Sequence, residues 1–209
     1  MRARSPDAFL LLDETFREAA YGAGPPQPSG ATLSERVLTV SSLSKAHGAP
    51  GLRLGWITCS APALLAHLQI GKGKTAISSS ILDERVGAHI LANASGILRD
   101  RNARLGTALA AVDTWIAKNA GRVEWVRPGA GGLCCVRLRE SAYDDAGVEA
   151  FYRCAAERQI TLASGDRFGD DRRVFRLGFG ALPMATFERA LQALEEVCQR
   201  TSSNPAGYG

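Results

Sequence analysis

The residues best suited to chemistry cluster around one lysine. Lys45 lies in the stretch Ser41-Ser42-Leu43-Ser44-Lys45-Ala46-His47-Gly48-Ala49-Pro50-Gly51-Leu52-Arg53-Leu54-Gly55-Trp56. The serine hydroxyls of this stretch and its one arginine fork are good phosphate partners. The glycines between them let backbone approach a ligand closely. A lysine held near strand ends and partly desolvated sheds its proton, and its amine becomes a nucleophile toward a carbonyl. The set points to a phosphorylated aldehyde held as a Schiff base, which is pyridoxal phosphate chemistry. Asp13 is the second candidate. It ends the apolar run Ala8-Phe9-Leu10-Leu11-Leu12, and α/β sheets place ligands at the carboxyl ends of such strands. Arg176 is the third, between Phe175 and Leu177. A guanidinium on so apolar a strand needs an anion or a wet cleft.

The elements that must position these residues follow from patterning. Residues 8–12 read as a strand buried on both faces, as in a parallel sheet. Arg36–Val40 and Leu54–Cys59 read as two more strands, one on each side of the lysine loop. Residues 22–30, rich in proline and glycine, read as a loop. A helix starts at Ala61-Pro62 and is expected to break at Gly71-Lys72-Gly73-Lys74, with both lysines in a solvated loop. Thr75–Ser80 is a stretch of small residues. A helical pattern then runs from Leu82 to Asn119 with an expected break at Asn93–Gly96, since it is too long for one ordinary helix. Val123–Val126 and Leu133–Leu138 read as a hairpin around Pro128–Gly132. A capped helix follows Asp144-Asp145, then a short strand at Ile160–Ala163 and a polar loop at Ser164–Asp171. The strand Arg172–Gly180 carries Arg176, with Arg172 and Arg173 expected to be solvated at its edge. Phe187, Leu191, Leu194 and Val197 mark the inward face of a closing helix at Thr186–Arg200, and the tail Thr201–Gly209 is expected to fray.

Composition narrows the classes. The chain has 209 residues, 45% hydrophobic and 22% charged, which suits one or two packed domains. A net charge of +4 with scattered arginines argues against a nucleic-acid partner. No apolar run reaches the roughly 20 residues of a membrane span, and the amino-terminal segment is not a signal peptide. Cys59, Cys134, Cys135, Cys154 and Cys198 are odd in number and fit no metal spacing, so reduced thiols in a cytoplasm are expected and a metal is not. His47, His67 and His89 show no partner in the sequence.

The spacing Ser42-x-Ser44-Lys45, Gly48-Ala49, Gly51, Arg53, Leu54, Gly55 resembles the lysine signature of the class I/II, fold type I aminotransferases at every defined position. The resemblance implies that Lys45 carries the cofactor pyridoxal 5'-phosphate as a Schiff base, and that Ser42, Ser44 and Arg53 hold its phosphate. It implies that Asp13, in a match to the family's Asp-Glu-x-Tyr motif, pairs with the pyridine nitrogen and keeps it protonated. It implies that Arg176 grips the substrate carboxylate. Phe16 is a departure, since the family usually places a tyrosine there, and phenylalanine lacks the hydroxyl donor.

The fold so implied is α/β: part of a large-domain parallel sheet of about three strands over residues 1–97, then a connecting helix and a complete α+β small domain over 98–209. The family's earlier segment, with its glycine-rich phosphate loop and stacked aromatic ring, has no match in this chain. The resemblance therefore implies a truncated enzyme or one half of a split one. A homodimer or companion chain is expected to cover the open sheet edge. The implied function is transamination between amino and keto acids in amino acid metabolism. The alternatives are a lyase, decarboxylase or condensing enzyme with the same cofactor, and an inactive remnant serving as a partner subunit.

Overall fold

The computed structural model describes residues 7–21 and 26–203. The expected loop at 22–30 lies partly, and the tail beyond Ser203 wholly, outside the described residues. The chain divides into two compact units, residues 1–103 and 104–209.

The first unit is built on a three-stranded sheet in the order β1 (Leu10–Asp13), β2 (Val37–Ser42), β3 (Gly55–Thr58). β1 and β2 are parallel, with Asp13 opposite Val40, so both strands present their carboxyl ends on one side. The third strand differs from the all-parallel reading: β3 runs antiparallel to β2, with Ser42 opposite Gly55. The connection explains this. A parallel return needs a long crossover, commonly a helix. Here residues 43–54 double back, with the Leu43 amide donating to the Leu54 carbonyl at 3.1 Å. The loop folds on itself through Ala49 N–H to Leu43 O, 2.9 Å. A single 3-10 turn, Pro50–Leu52, completes it.

β1 is not buried on both faces as its apolar run suggests. Among the described residues it pairs only with β2, and Phe9 and Leu11 are 53% and 61% exposed. The helices of this unit are α1 (Pro62–Thr75), α2 (Ile81–Ala92) and the start of α3 (Ala94–Lys118). α1 runs through Gly71 and Gly73, where a break was expected. Each glycine costs only about 1 kcal/mol in a helix, and Lys72 and Lys74 in the last turn favour the negative end of the helix dipole. α2 is capped by the Ser80 hydroxyl. The expected interruption falls at Asn93, whose side chain donates to the His89 carbonyl at 2.9 Å.

The second unit pairs its strands in the order β4 (Val123–Trp125), β5 (Leu133–Leu138), β7 (Val174–Gly178), β6 (Ala163–Ser164), all antiparallel. α4 (Asp145–Glu157) and α5 (Met184–Thr201) supply the helical side of its core. The Asp144 carboxylate caps α4 through the Gly147 amide at 2.7 Å. Alternation with period two turns Cys134, Val136, Leu138, Phe175 and Leu177 inward. They meet Val148, Phe151 and Ala155 of α4, and Phe187, Leu191, Leu194 and Val197 of α5 line the same core. Gly132 lets two loops touch: a Cβ there would come within 3.0 Å of the Gly180 backbone. The strand expected at Ile160–Ala163 is shorter and later, and the polar loop after it holds a 3-10 turn, Gly165–Phe168.

Candidate active site

The lysine loop leaves the carboxyl end of β2. Buried Leu43, Ala46 and His47 anchor it, and Lys45 between them is turned outward and exposed. The sequence reading has this amine partly desolvated. The structure instead buries its neighbours and leaves the side chain at the surface of the unit. Lys45 Nζ stands 5.9 Å from the centroid of the Phe16 ring. Phe16 follows Asp13 by three residues, so the turn after β1 and the loop after β2 face each other.

Asp13 ends β1 with an exposed carboxylate. The Thr15 amide donates to its Oδ1 at 2.9 Å, and the Thr15 hydroxyl makes a short bond to the same oxygen. These bonds, the hydroxyl's first, hold the Asp13 carboxyl below the usual carboxylate range, against a small opposing effect of burial. Thr15 carries no mark in the signature. An Asp followed two residues later by Thr is the local turn signal that could have found it. Next along, Glu14 accepts from the Gly30 amide at 2.6 Å and pairs with Arg17 at 3.2 Å.

The phosphate candidates lie around the loop's two ends. Ser42 is the last residue of β2, and its Oγ accepts from the Ser44 amide at 3.3 Å. Arg53 closes the loop in the left-handed conformation, φ 52° and ψ 31°, with Nη1 donating to the Pro50 carbonyl at 3.2 Å. A non-glycine residue there is strained, and such strain concentrates at functional positions. Asp13, Ser42, Ser44, Lys45 and Arg53 thus share the first unit and its loop cluster. Two serine hydroxyls, a guanidinium, an exposed amine and an anionic carboxylate make a donor set that fits a phosphorylated pyridine aldehyde.

His47, which the sequence left without a partner, is 5% exposed. Its Nε2 lies 3.5 Å from the Glu18 carboxylate, and its ring meets Trp56 edge-on at 6.4 Å. Among the described residues its buried Nδ1 has no hydrogen-bond partner. Burial above all pushes the imidazole pKa down; Glu18 raises it and Arg101 lowers it further.

Arg176 belongs to the second unit. It stands opposite Cys135 on β5 and Ala163 on β6, on the exposed face of that sheet. Its guanidinium lies 3.3 Å from the centroid of the Phe168 ring. Among the described residues it forms no ion pair. Arg172 is exposed as expected and Arg173 is largely covered, and both are ion-paired. Arg172 pairs with Glu149 and, at 3.0 Å, with Asp166. Arg173 pairs with Asp145 at 2.7 Å and donates to the Tyr143 carbonyl at 2.7 Å. α4 and the loop before it bring these acceptors close, which strand periodicity does not reveal. All five cysteines are free thiols, and no group of three or more potential ligands for a metal occurs among the described residues. No described helix is long and apolar enough to cross a membrane.

Residues 2–194 match the family model for aminotransferase class I and II. Capreomycidine synthase of Streptomyces vinaceus is 30% identical over 190 residues, which is 90% of this chain and 47% of that protein. A PLP-dependent aminotransferase from Streptococcus suis has a similar structure, with a TM-score of 0.83 and 27% identity over 95% of this chain and 50% of that one. The PLP-dependent cyclase OrfR gives a TM-score of 0.79 at 25% identity, over 95% of this chain and 52% of that one. The chain therefore spans about half the length of the relatives it matches. With nearly its whole length matched by that family model, the chain belongs to the class I and II aminotransferase family.

Proposed function

We propose that this chain carries the cofactor-anchoring and substrate-carboxylate elements of a pyridoxal-phosphate aminotransferase acting on amino and keto acids. The cofactor is pyridoxal 5'-phosphate, supported by the family and by relatives described as PLP-dependent. One observation carries the reading: Lys45 and Asp13 leave the carboxyl ends of adjacent parallel strands, with Lys45 Nζ beside Phe16 of the turn that follows Asp13. Residues 1–97 act as the partial large domain, and 98–209 as connecting helix and small domain.

When bound, the cofactor supplies a cationic ring that accepts the charge left on the substrate's α carbon. The remaining roles fall to the chain. Lys45 Nζ would hold the cofactor's aldehyde carbon and, once the substrate's amine has displaced it, would serve as the base for the α proton. Asp13, kept ionised by Thr15, would hold a proton on the ring nitrogen. Ser42, Ser44 and Arg53 bind the phosphate. Arg176 selects carboxylate substrates through its two-pronged guanidinium. The exposed apolar side chains of β1 support a covering partner, a second copy or a companion chain.

A second reading keeps the cofactor and breaks or makes a different bond, as in a lyase, decarboxylase or cyclase. It rests on Phe16 in the place of a hydroxyl donor, and on relatives named as a synthase and a cyclase. The inactive partner subunit is the non-enzymatic alternative. The deciding experiment is borohydride trapping with pyridoxal phosphate, followed by peptide mapping. The parent should carry a reduced pyridoxyl group at Lys45, and Lys45→Ala should fold without it. Equal labelling of the two proteins refutes the assignment. Products formed from a panel of amino acids then separate transamination from the second reading.

A further inference from the structure

Arg101 lies on α3, far from the lysine loop in sequence. Its Nε donates to the Ala46 carbonyl at 2.9 Å, and its Nη2 donates to the Lys45 carbonyl at 3.3 Å. The same guanidinium fills the space beside Gly48. A Cβ built there would stand 2.2 Å from Nη1 and 2.4 Å from Cζ, and the residue has φ +71°. Only glycine meets both demands. The next residue, Asn102, donates from Nδ2 to the Glu18 carbonyl at 3.0 Å, and the Glu18 carboxylate faces the buried His47 ring. Two adjacent residues of α3 thus hold the lysine loop and the turn that follows β1, all within the first unit.

We propose that Arg101 is a positioning residue for Lys45. The inference rests on the reading of Lys45 as the cofactor lysine. A side chain leaves its Cα in a direction set by the peptide planes on either side. Arg101 fixes the plane that follows Lys45 and the one after it, and so aims an otherwise exposed amine. Its planar set of donors suits two neighbouring carbonyls at once, which an ammonium does not. Small misplacements of a reacting group cost large factors in rate.

Hydrogen exchange on the full chain without cofactor tests the hold directly. The Gly48 amide bonds to the Lys45 carbonyl at 3.1 Å, and the Ala49 amide bonds to the Leu43 carbonyl at 2.9 Å, so both amides report on the loop. In Arg101→Ala these amides should exchange about tenfold faster, the factor expected for losing charge-assisted bonds. Borohydride trapping of pyridoxal phosphate at Lys45 should slow by about the same factor. Trapping at the exposed Lys72 and Lys74 should not change, which separates aiming from general loosening. Arg101→Lys, able to keep one of the two bonds, should fall between. Asn102→Ala leaves both carbonyl bonds intact and should exchange at 48 and 49 like the parent. Parent-like exchange in Arg101→Ala overturns the proposal, as does an Asn102→Ala profile equal to it. Should Arg101→Ala fail to fold, Arg101→Lys decides, and parent-like exchange and trapping in that variant overturns the proposal. A parent that traps nothing at Lys45 refutes the cofactor reading instead, and the exchange data still decide whether Arg101 holds the loop.

Discussion

Arg53 offers a test in which binding and stability move apart. Its backbone is left-handed, a conformation that costs an L residue roughly 1–2 kcal/mol and costs glycine almost nothing. Replacing it with glycine releases that strain. Glycine also loosens the unfolded chain, by about 0.4–1 kcal/mol. The net effect on stability is about 0 to 1.6 kcal/mol in favour of Arg53→Gly. Its midpoint of unfolding should therefore match or exceed the parent's. Binding should move the other way. A charge-assisted bond to phosphate is worth about 1.5–3 kcal/mol, and water around this exposed side chain places it at the lower end. About 1.5 kcal/mol is a factor of roughly ten in affinity. Equilibrium dialysis should show pyridoxal phosphate held about tenfold more weakly by Arg53→Gly and by Arg53→Ala. Pyridoxal, which lacks the phosphate, should bind all three proteins equally. The gap for the phosphate form should narrow as salt rises from 0.05 to 0.5 M, approximate values chosen to span the screening range. An equal loss for pyridoxal would mean that the variants disturb the loop and not a phosphate contact. Unchanged affinity for both ligands would remove Arg53 from the site.

Two further predictions concern the scaffold. Phe151 is fully buried, with ring centroids of Phe175 at 5.3 Å and Tyr152 at 5.4 Å, so Phe151→Ala should cost about 3–5 kcal/mol in urea unfolding of the second unit, while Phe151→Leu should cost under about half of that. A loss below about 1.5 kcal/mol for the alanine variant would show that the site collapses or was never tightly packed. His47 titrates below its ordinary value because it is buried, so the folded chain resists a proton that the unfolded chain accepts. Above pH ~6.5 both states are neutral and nothing is lost. As pH falls from there toward the lower folded value, the parent should lose urea stability faster than His47→Gln, and parallel curves for the two proteins would count against the linkage.

Much of this protein was legible before any coordinates. The spacing around Lys45 marked the loop and its flanking strands, because short β-branched apolar runs and glycines are local signals. The break in the long helix fell at Asn93, and α5 buried the four residues its periodicity selects. Other features were not legible, and each depends on what the chain meets elsewhere. Residues 8–12 read as doubly buried, yet among the described residues β1 borders one strand only, and hydrophobicity does not count neighbours. β3 turned back antiparallel because the loop 43–54 bonds to itself, which strand patterning does not encode. Gly71 and Gly73 stayed helical because their cost is small beside a full set of helix hydrogen bonds.

The sequence by itself determined the chemistry available: one amine, two hydroxyls, two guanidiniums and a strand-end carboxylate, in an order that the aminotransferase family shares. Tertiary structure alone decided the state of those groups. Phe168 lies under Arg176, and Arg101 reaches across from α3 to the carbonyls of Lys45 and Ala46. The reason is range. Residue type and spacing act over a few positions, whereas a hydrogen bond or a ring stack depends only on distance in space, however far apart its partners stand along the chain.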